Sequence, residues 1–153
     1  MNLLDAEKLA KDKMKEHGLT ERGWWFEFDR AKRRFGCCHH NLKKITMSSA
    51  LTELNSKEVV LDTILHEIAH ALVSARHGHD AVWRRKAIEI GCNGSRTYGN
   101  ETIRPPYPYK GVCPNGHETK ARKRMRVACS KCCNTHNNGR FSSEYMFVWE
   151  TIS

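Results

Sequence analysis

No stretch of the 153-residue chain is long and apolar enough to span a bilayer, which argues against a membrane protein. Met1-Asn2-Leu3-Leu4-Asp5 has neither a basic leader nor an apolar run, so export is not expected. Acidic residues are in short supply: 17 Asp and Glu stand against 26 Lys and Arg, a formal net charge of +9. Such an excess aids solubility, and its sharper reading is an acidic partner, nucleic acid above all. Proline is scarce, with 4 in the chain, three of them at Pro105, Pro106 and Pro108. Cysteine is not scarce. Seven cysteines without an export signal predict a reducing cytoplasm, nucleoid association included, where clustered Cys more often means metal than disulfide.

What is present is organised around Leu65-His66-Glu67-Ile68-Ala69-His70. Two histidines four apart lie on one face of a helix, a turn apart, and can reach one metal ion. With Glu67 between them the pattern is H-E-x-x-H: two zinc ligands and a carboxylate general base. Asn55 and Glu58 read as a capping pair, and Val60, Ile64, Ile68, Ala71 and Leu72 form an apolar face. The expectation is one buried helix over 56–77, stopped at Gly78. A catalytic zinc takes three protein ligands and a water. Gly78 can turn the chain back and offer His79 as the third. His77 and Glu89 are its rivals.

Around that helix the chain reads as α+β. Residues 2–16 form an amphipathic helix within an N-terminal segment 1–18. Strands at Trp24–Phe28, Arg33–Cys38 and Lys44–Met47 predict a small antiparallel sheet. Adjacent ligands on a strand point to opposite faces, so Cys37-Cys38-His39-His40 is read as two strand cysteines and a polar loop. Asp80 caps a second helix, with Ala81, Trp83, Ala87, Ile88 and Ile90 as packing groups. Arg84, Arg85 and Lys86 are its solvated face or a phosphate-binding rim. The catalytic domain is placed at 1–95. Gly99, Asn100 and the prolines mark 96–110 as a linker.

Residues 111–153 read as a zinc-ribbon-like β subdomain. Cys129-Ser-Lys-Cys132 is a standard knuckle, and Cys113 with His117 supplies an irregular Cys-x₃-His partner. His117 is the expected fourth ligand, with Cys133 and His136 as substitutes. Tyr145–Trp149 would close the sheet. Lys120, Arg122, Lys123, Arg124 and Arg126 lie between the knuckles as a candidate DNA-contacting ridge.

These motifs resemble the SprT-like metallopeptidases, the group that includes the Spartan DNA–protein crosslink proteases. The resemblance rests on His66 to Ala71, on Gly78-His79-Asp80-Ala81-Val82-Trp83 and on the C-terminal knuckles, and covers about residues 20–150. Asp80 stands where the family often has glycine, and Cys-x₃-His departs from a four-Cys ribbon. The resemblance implies a zincin-like domain, a catalytic zinc on His66, His70 and His79 with Glu67 as base, and a second, structural zinc. The net charge of +9 and the ridge at 120–126 suggest DNA as a partner, and a protease tethered to DNA would take as substrates the proteins that share it. A monomer is expected. Two rival readings are a metal-dependent endoribonuclease and a DNA-binding or regulatory zinc protein without protease activity. Glu67 argues against the first, and the intact set of His66, Glu67, His70 and His79 against the second.

Overall fold

The structure, a computed structural model, describes residues 1–99 and 101–153. Asn100, one of the expected turn signals, lies outside them. The fold is α+β and divides into two compact units, Met1–Pro105 and Pro106–Ser153. Among the described residues no helix is long and apolar enough to cross a membrane.

In the first unit, α1 (Leu3–Glu16) begins at Asn2, whose side chain accepts hydrogen bonds from the Leu4 and Asp5 amides, and puts Ala6, Ala10 and Met14 into the core. It stops at Gly18, where φ is +76°. Three strands follow: β1 (Trp25–Asp29), β2 (Gly36–His39) and β3 (Lys44–Ser48), in the order β1-β3-β2. β2 runs antiparallel to β3, but β1 runs parallel to it, pairing Phe26 with Ile45 and Phe28 with Met47. The sheet is therefore mixed, not antiparallel as expected. β3 buries Ile45, Thr46, Met47 and Ser48, so it takes the centre and leaves both edges to its neighbours. The chain must cross from β1 to the far edge before returning.

A short helix that the sequence did not announce, α2 (Ser49–Leu54), is capped by Ser48. α3 (Lys57–Leu72) follows, capped by Ser56, not by Asn55. It ends at Leu72, short of 77, because Ser74, Arg76 and His77 offer no further apolar face to bury; Gly78 is accordingly not its stop. α3 is the centre of the unit. Val60, Ile64 and Ile68 join the core with α1 and the sheet. Leu65 and Ala69 pack on the other flank against Trp83 and Ala87 of α4 (Ala81–Glu89). Ile88, expected to pack there, is exposed. A helix buried on both flanks has one sector left for polar groups, and His66 and His70 occupy it.

Residues 96–105, expected to be linker, belong to the first unit. The Asn55 side chain, 3% exposed, donates to the Ile103 carbonyl at 2.8 Å and accepts from the Ile103 amide at 2.7 Å. It holds the segment as a strand partner would.

The second unit is a three-stranded antiparallel sheet in the order β5-β4-β6, from β4 (Tyr109–Val112), β5 (Glu118–Ala121) and β6 (Val148–Thr151). It is not all β: α5 (Ser130–His136) starts directly after Cys129. Tyr145 lies in a 3₁₀ turn, so the closing strand starts three residues later than expected. The buried centre is Cys113, Cys129 and Cys132, with Tyr145 and Phe147 against them.

Candidate metal centres

α3 sets His66 and His70 one turn apart, and the loop after it returns a third imidazole. Asp80 caps α4 by accepting from the Val82 and Trp83 amides, and its other oxygen lies 2.7 Å from His77 Nδ1. That bridge spans Gly78-His79 and presents His79 to the helix. His79 Nε2 then lies 2.9 Å from His66 Nε2 and 3.1 Å from His70 Nε2. For zinc–nitrogen bonds of about 2.0–2.1 Å, tetrahedral ligands sit about 3.3 Å apart. Both His79 separations are close to that spacing, and all three ligand atoms lie within 4.8 Å of one another, a set able to hold one zinc ion. The rivals are placed elsewhere: His77 pairs with Asp80, and Glu89 with Lys86 at 3.0 Å on an exposed stretch of α4.

Trp83, read from sequence as a packing group, is the platform of this cluster. Its ring stacks on His70 at 5.1 Å and 23°, and lies 4.6 Å from His66 and 4.7 Å from His79. Its Nε1–H donates to the His66 carbonyl at 3.3 Å. Burial, followed by repulsion from the neighbouring imidazoles, lowers His66 to about 3 and His70 to about 4. Burial and the Arg96 charge lower His79. All three shifts favour the neutral imidazole, the form in which its nitrogen ligates metal.

Glu67 is 3% exposed, and burial raises its carboxyl to about 8 against the opposing effects of Tyr98 and Arg34. It lines a cleft of about 420 Å³ together with the three histidines, Arg34, Gly36, Arg96 and Tyr98. Tyr98 and Gly36 were not anticipated as site residues. No spacing rule connects them to Glu67; the fold alone brings them there. Cys37 and Cys38 also line the cleft, and His39 bonds Thr46 at 3.2 Å. Among the described residues, that run joins no cluster of metal-ligating side chains.

In the second unit the hairpin between β4 and β5 turns at Gly116, where φ is +81°, and brings Cys113 and His117 together. His117 Nδ1 lies 3.4 Å from Cys113 Sγ, 3.5 Å from Cys129 Sγ and 3.3 Å from Cys132 Sγ. Three thiols and an imidazole at these distances form a donor set suited to a structural zinc. The Asn115 side chain and the His117 amide donate to Cys132 and Cys113 sulfurs, as groups behind a metal shell do. Cys133 is buried outside this cluster, and His136 lies against Tyr145.

The basic run divides. Lys120, Lys123 and Arg126 are exposed. Arg122 donates to the Pro106 carbonyl at 3.0 Å and lies over the Tyr107 ring. Arg124 donates to Thr151 at 3.2 Å and lies over the Tyr109 ring. Arg84 and Arg85 are exposed on α4.

The profile of the SprT-like family matches residues 6–104 of the chain. A comparison with curated proteins finds no match.

Proposed function

Because the chain belongs to the SprT-like family, we propose that it is a zinc-dependent endopeptidase with a zincin-like catalytic domain, acting on proteins bound or crosslinked to DNA. Family membership points to a metallopeptidase-type function. The observation that carries the finer reading is the convergence of three imidazoles, with His79 Nε2 2.9 Å from His66 and 3.1 Å from His70, in a cleft that also holds a buried carboxyl.

His66, His70 and His79 would hold the zinc. Bound there, zinc supplies Lewis acidity to the carbonyl under attack and to the attacking water. Glu67 accepts the proton of that water and returns it to the leaving amine. Trp83 keeps the His66 and His70 rings in place and closes one side of the site to solvent. In the second unit, Cys113, His117, Cys129 and Cys132 would hold a structural zinc.

The net charge of +9 and the exposed Lys120, Lys123 and Arg126 support DNA as the partner. Phosphate contacts of this kind hold the enzyme on DNA without reading sequence. Specificity then comes from place: whatever protein shares the DNA is cut.

The deciding experiment incubates the chain with a protein crosslinked to DNA, with and without free DNA, beside Glu67→Gln and chelator controls. Cleavage by the wild type and loss of nearly all of it in Glu67→Gln, with zinc retained, is expected. Near-normal cleavage by that variant rejects the mechanism. Replacing Lys120, Lys123 and Arg126 by Ala should weaken DNA binding and reduce its log–log salt slope by about one unit for each phosphate no longer neutralised. An unchanged slope removes these side chains from the interface.

A further inference from the structure

Glu67 is a flexible side chain asked to work from a fixed place. Two groups from remote parts of the chain pin it. The Tyr98 hydroxyl donates to Glu67 Oε1 at 3.3 Å. The same phenol oxygen accepts the Gly36 amide at 3.2 Å. That bond sets the direction of the phenol and leaves its proton to Glu67 or to the more distant Gly36 carbonyl, 3.4 Å away. The Tyr98 ring rests on Phe35 at 5.6 Å and on His66 at 5.8 Å. Gly36 also stands close on Glu67. A Cβ there would stand 2.9 Å from Glu67 Cγ, 3.0 Å from Oε1 and 3.1 Å from Met47 Sδ. The Tyr98 bond engages Oε1 alone, and the Glu67 side chain lines the cleft.

The two carboxyl oxygens therefore have different tasks. One is tied down, and the other is left to exchange a proton. Transfer of that kind depends on geometry held to a fraction of an ångström. A free Glu side chain, with three torsions, would spread over several rotamers. From this geometry we infer that Tyr98 is a positioning residue for peptide hydrolysis: with the Gly36 backbone it fixes Glu67 Oε1 so that Oε2 faces the substrate. The inference rests on the peptidase reading and deepens it.

Tyr98→Phe removes the hydroxyl and keeps the ring on Phe35. Loss of the hydrogen bond to Glu67 in the ionised form that accepts the proton corresponds to a fall in kcat of roughly 10- to 100-fold. KM and zinc content should stay at wild-type values. Gly36→Ala crowds Glu67 Cγ and Oε1 while keeping the Tyr98 hydroxyl, and should also lower kcat. The double variant should lose less than the product of the two, because both act through one side chain. A readout that needs no turnover is the thermal midpoint of metal-stripped protein in the cycle Tyr98→Phe with Glu67→Ala. The shift caused by Tyr98→Phe should shrink when Glu67 is absent. A phenol that only braces its loop would give equal shifts in both backgrounds, and that equality overturns the inference. So does a Tyr98→Phe enzyme whose kcat is within twofold of wild type with zinc retained, or one that changes KM alone. A wild-type chain that cleaves no protein or peptide in any condition overturns the peptidase reading itself. Coupling in the stripped-protein cycle would then still place Tyr98 on Glu67.

Discussion

Asn55→Ala should destabilise the first unit and slow its chemistry from a distance. The side chain makes three hydrogen bonds: to the Leu51 carbonyl at 2.7 Å, to the Ile103 carbonyl at 2.8 Å, and from the Ile103 amide at 2.7 Å. Each is worth about 1 kcal/mol net. Ile103 is exposed, so water can replace its two bonds in part. Leu51 is fully buried, and its carbonyl would lose the Asn55 partner without a route to water. The two effects offset, and the loss comes to about 3 kcal/mol. Set against a typical total of about 5–15 kcal/mol, that is a large fraction. Urea unfolding of the zinc-loaded protein measures it. Amide exchange at Ile103 should accelerate as well, because its acceptor is gone. Asn55→Asp keeps the acceptor, loses both donated bonds and buries a charge, so it should be no better than Ala. Kcat should fall too, since Tyr98 sits five residues before the released anchor. A loss below about 1 kcal/mol, with unchanged exchange at Ile103, would refute the view that Asn55 clamps this segment.

Other consequences are open to direct measurement. Purified protein should carry about two zinc ions, and His79→Ala should carry about one, read by metal analysis; two in the variant would remove His79 from the ligand set. Cys129→Ser should unfold residues from 106 onward, because the second unit has little core beyond its cysteines, while the His66, His70 and His79 site keeps its zinc. Limited proteolysis that spares the C-terminal segment in this variant would argue against a structural metal. In metal-stripped protein, His66 takes its proton near 6.5 when unfolded and near 3 when folded, so stability falls as pH drops below 6.5. Glu67 acts in the opposite sense: its carboxyl moves from 4.5 to about 8 on folding, so its burial costs least below 4.5 and most above 8. Stripped Glu67→Gln lacks the offsetting term and should lose thermal stability more steeply than wild type between pH 6.5 and 4.5; equal slopes would show that Glu67 is not held in the buried, proton-retaining state.

The two side-chain clusters that could hold metal were legible in the sequence because their logic is local. Four-residue spacing on a helix and a Cys-x-x-Cys knuckle fix geometry within a turn or two. A glycine before His79 was enough to suggest where the chain turns back. The parallel pairing of β1 with β3 was not legible. Alternation in Trp24, Phe26 and Phe28 tells which face is buried and says nothing of the neighbour's direction. The helix cap was missed by one residue because Asn55 and Ser56 are both good caps. Which one serves was decided by Ile103, since Asn55 is engaged with that residue. Tyr98 lay in a stretch whose glycine, asparagine and prolines read as linker. A lone tyrosine there carries no signal of a buried partner.

The candidate donors of the first cluster come from a short piece of chain: His79 is 13 residues from His66 and 9 from His70. The clamp on Glu67 is assembled from farther away, with Tyr98 31 residues from Glu67 and 62 from Gly36. Closing a short loop costs less entropy than closing a long one. During folding, the helix and its following loop can therefore capture a metal ion before β2 and the segment around Tyr98 have docked. Metal occupancy and chemical competence are separate milestones in the life of this chain. On the proposed reading, a nascent or partly unfolded copy would hold zinc while Glu67 is still untethered, and a measured metal content of one per site would be no guarantee of an active molecule.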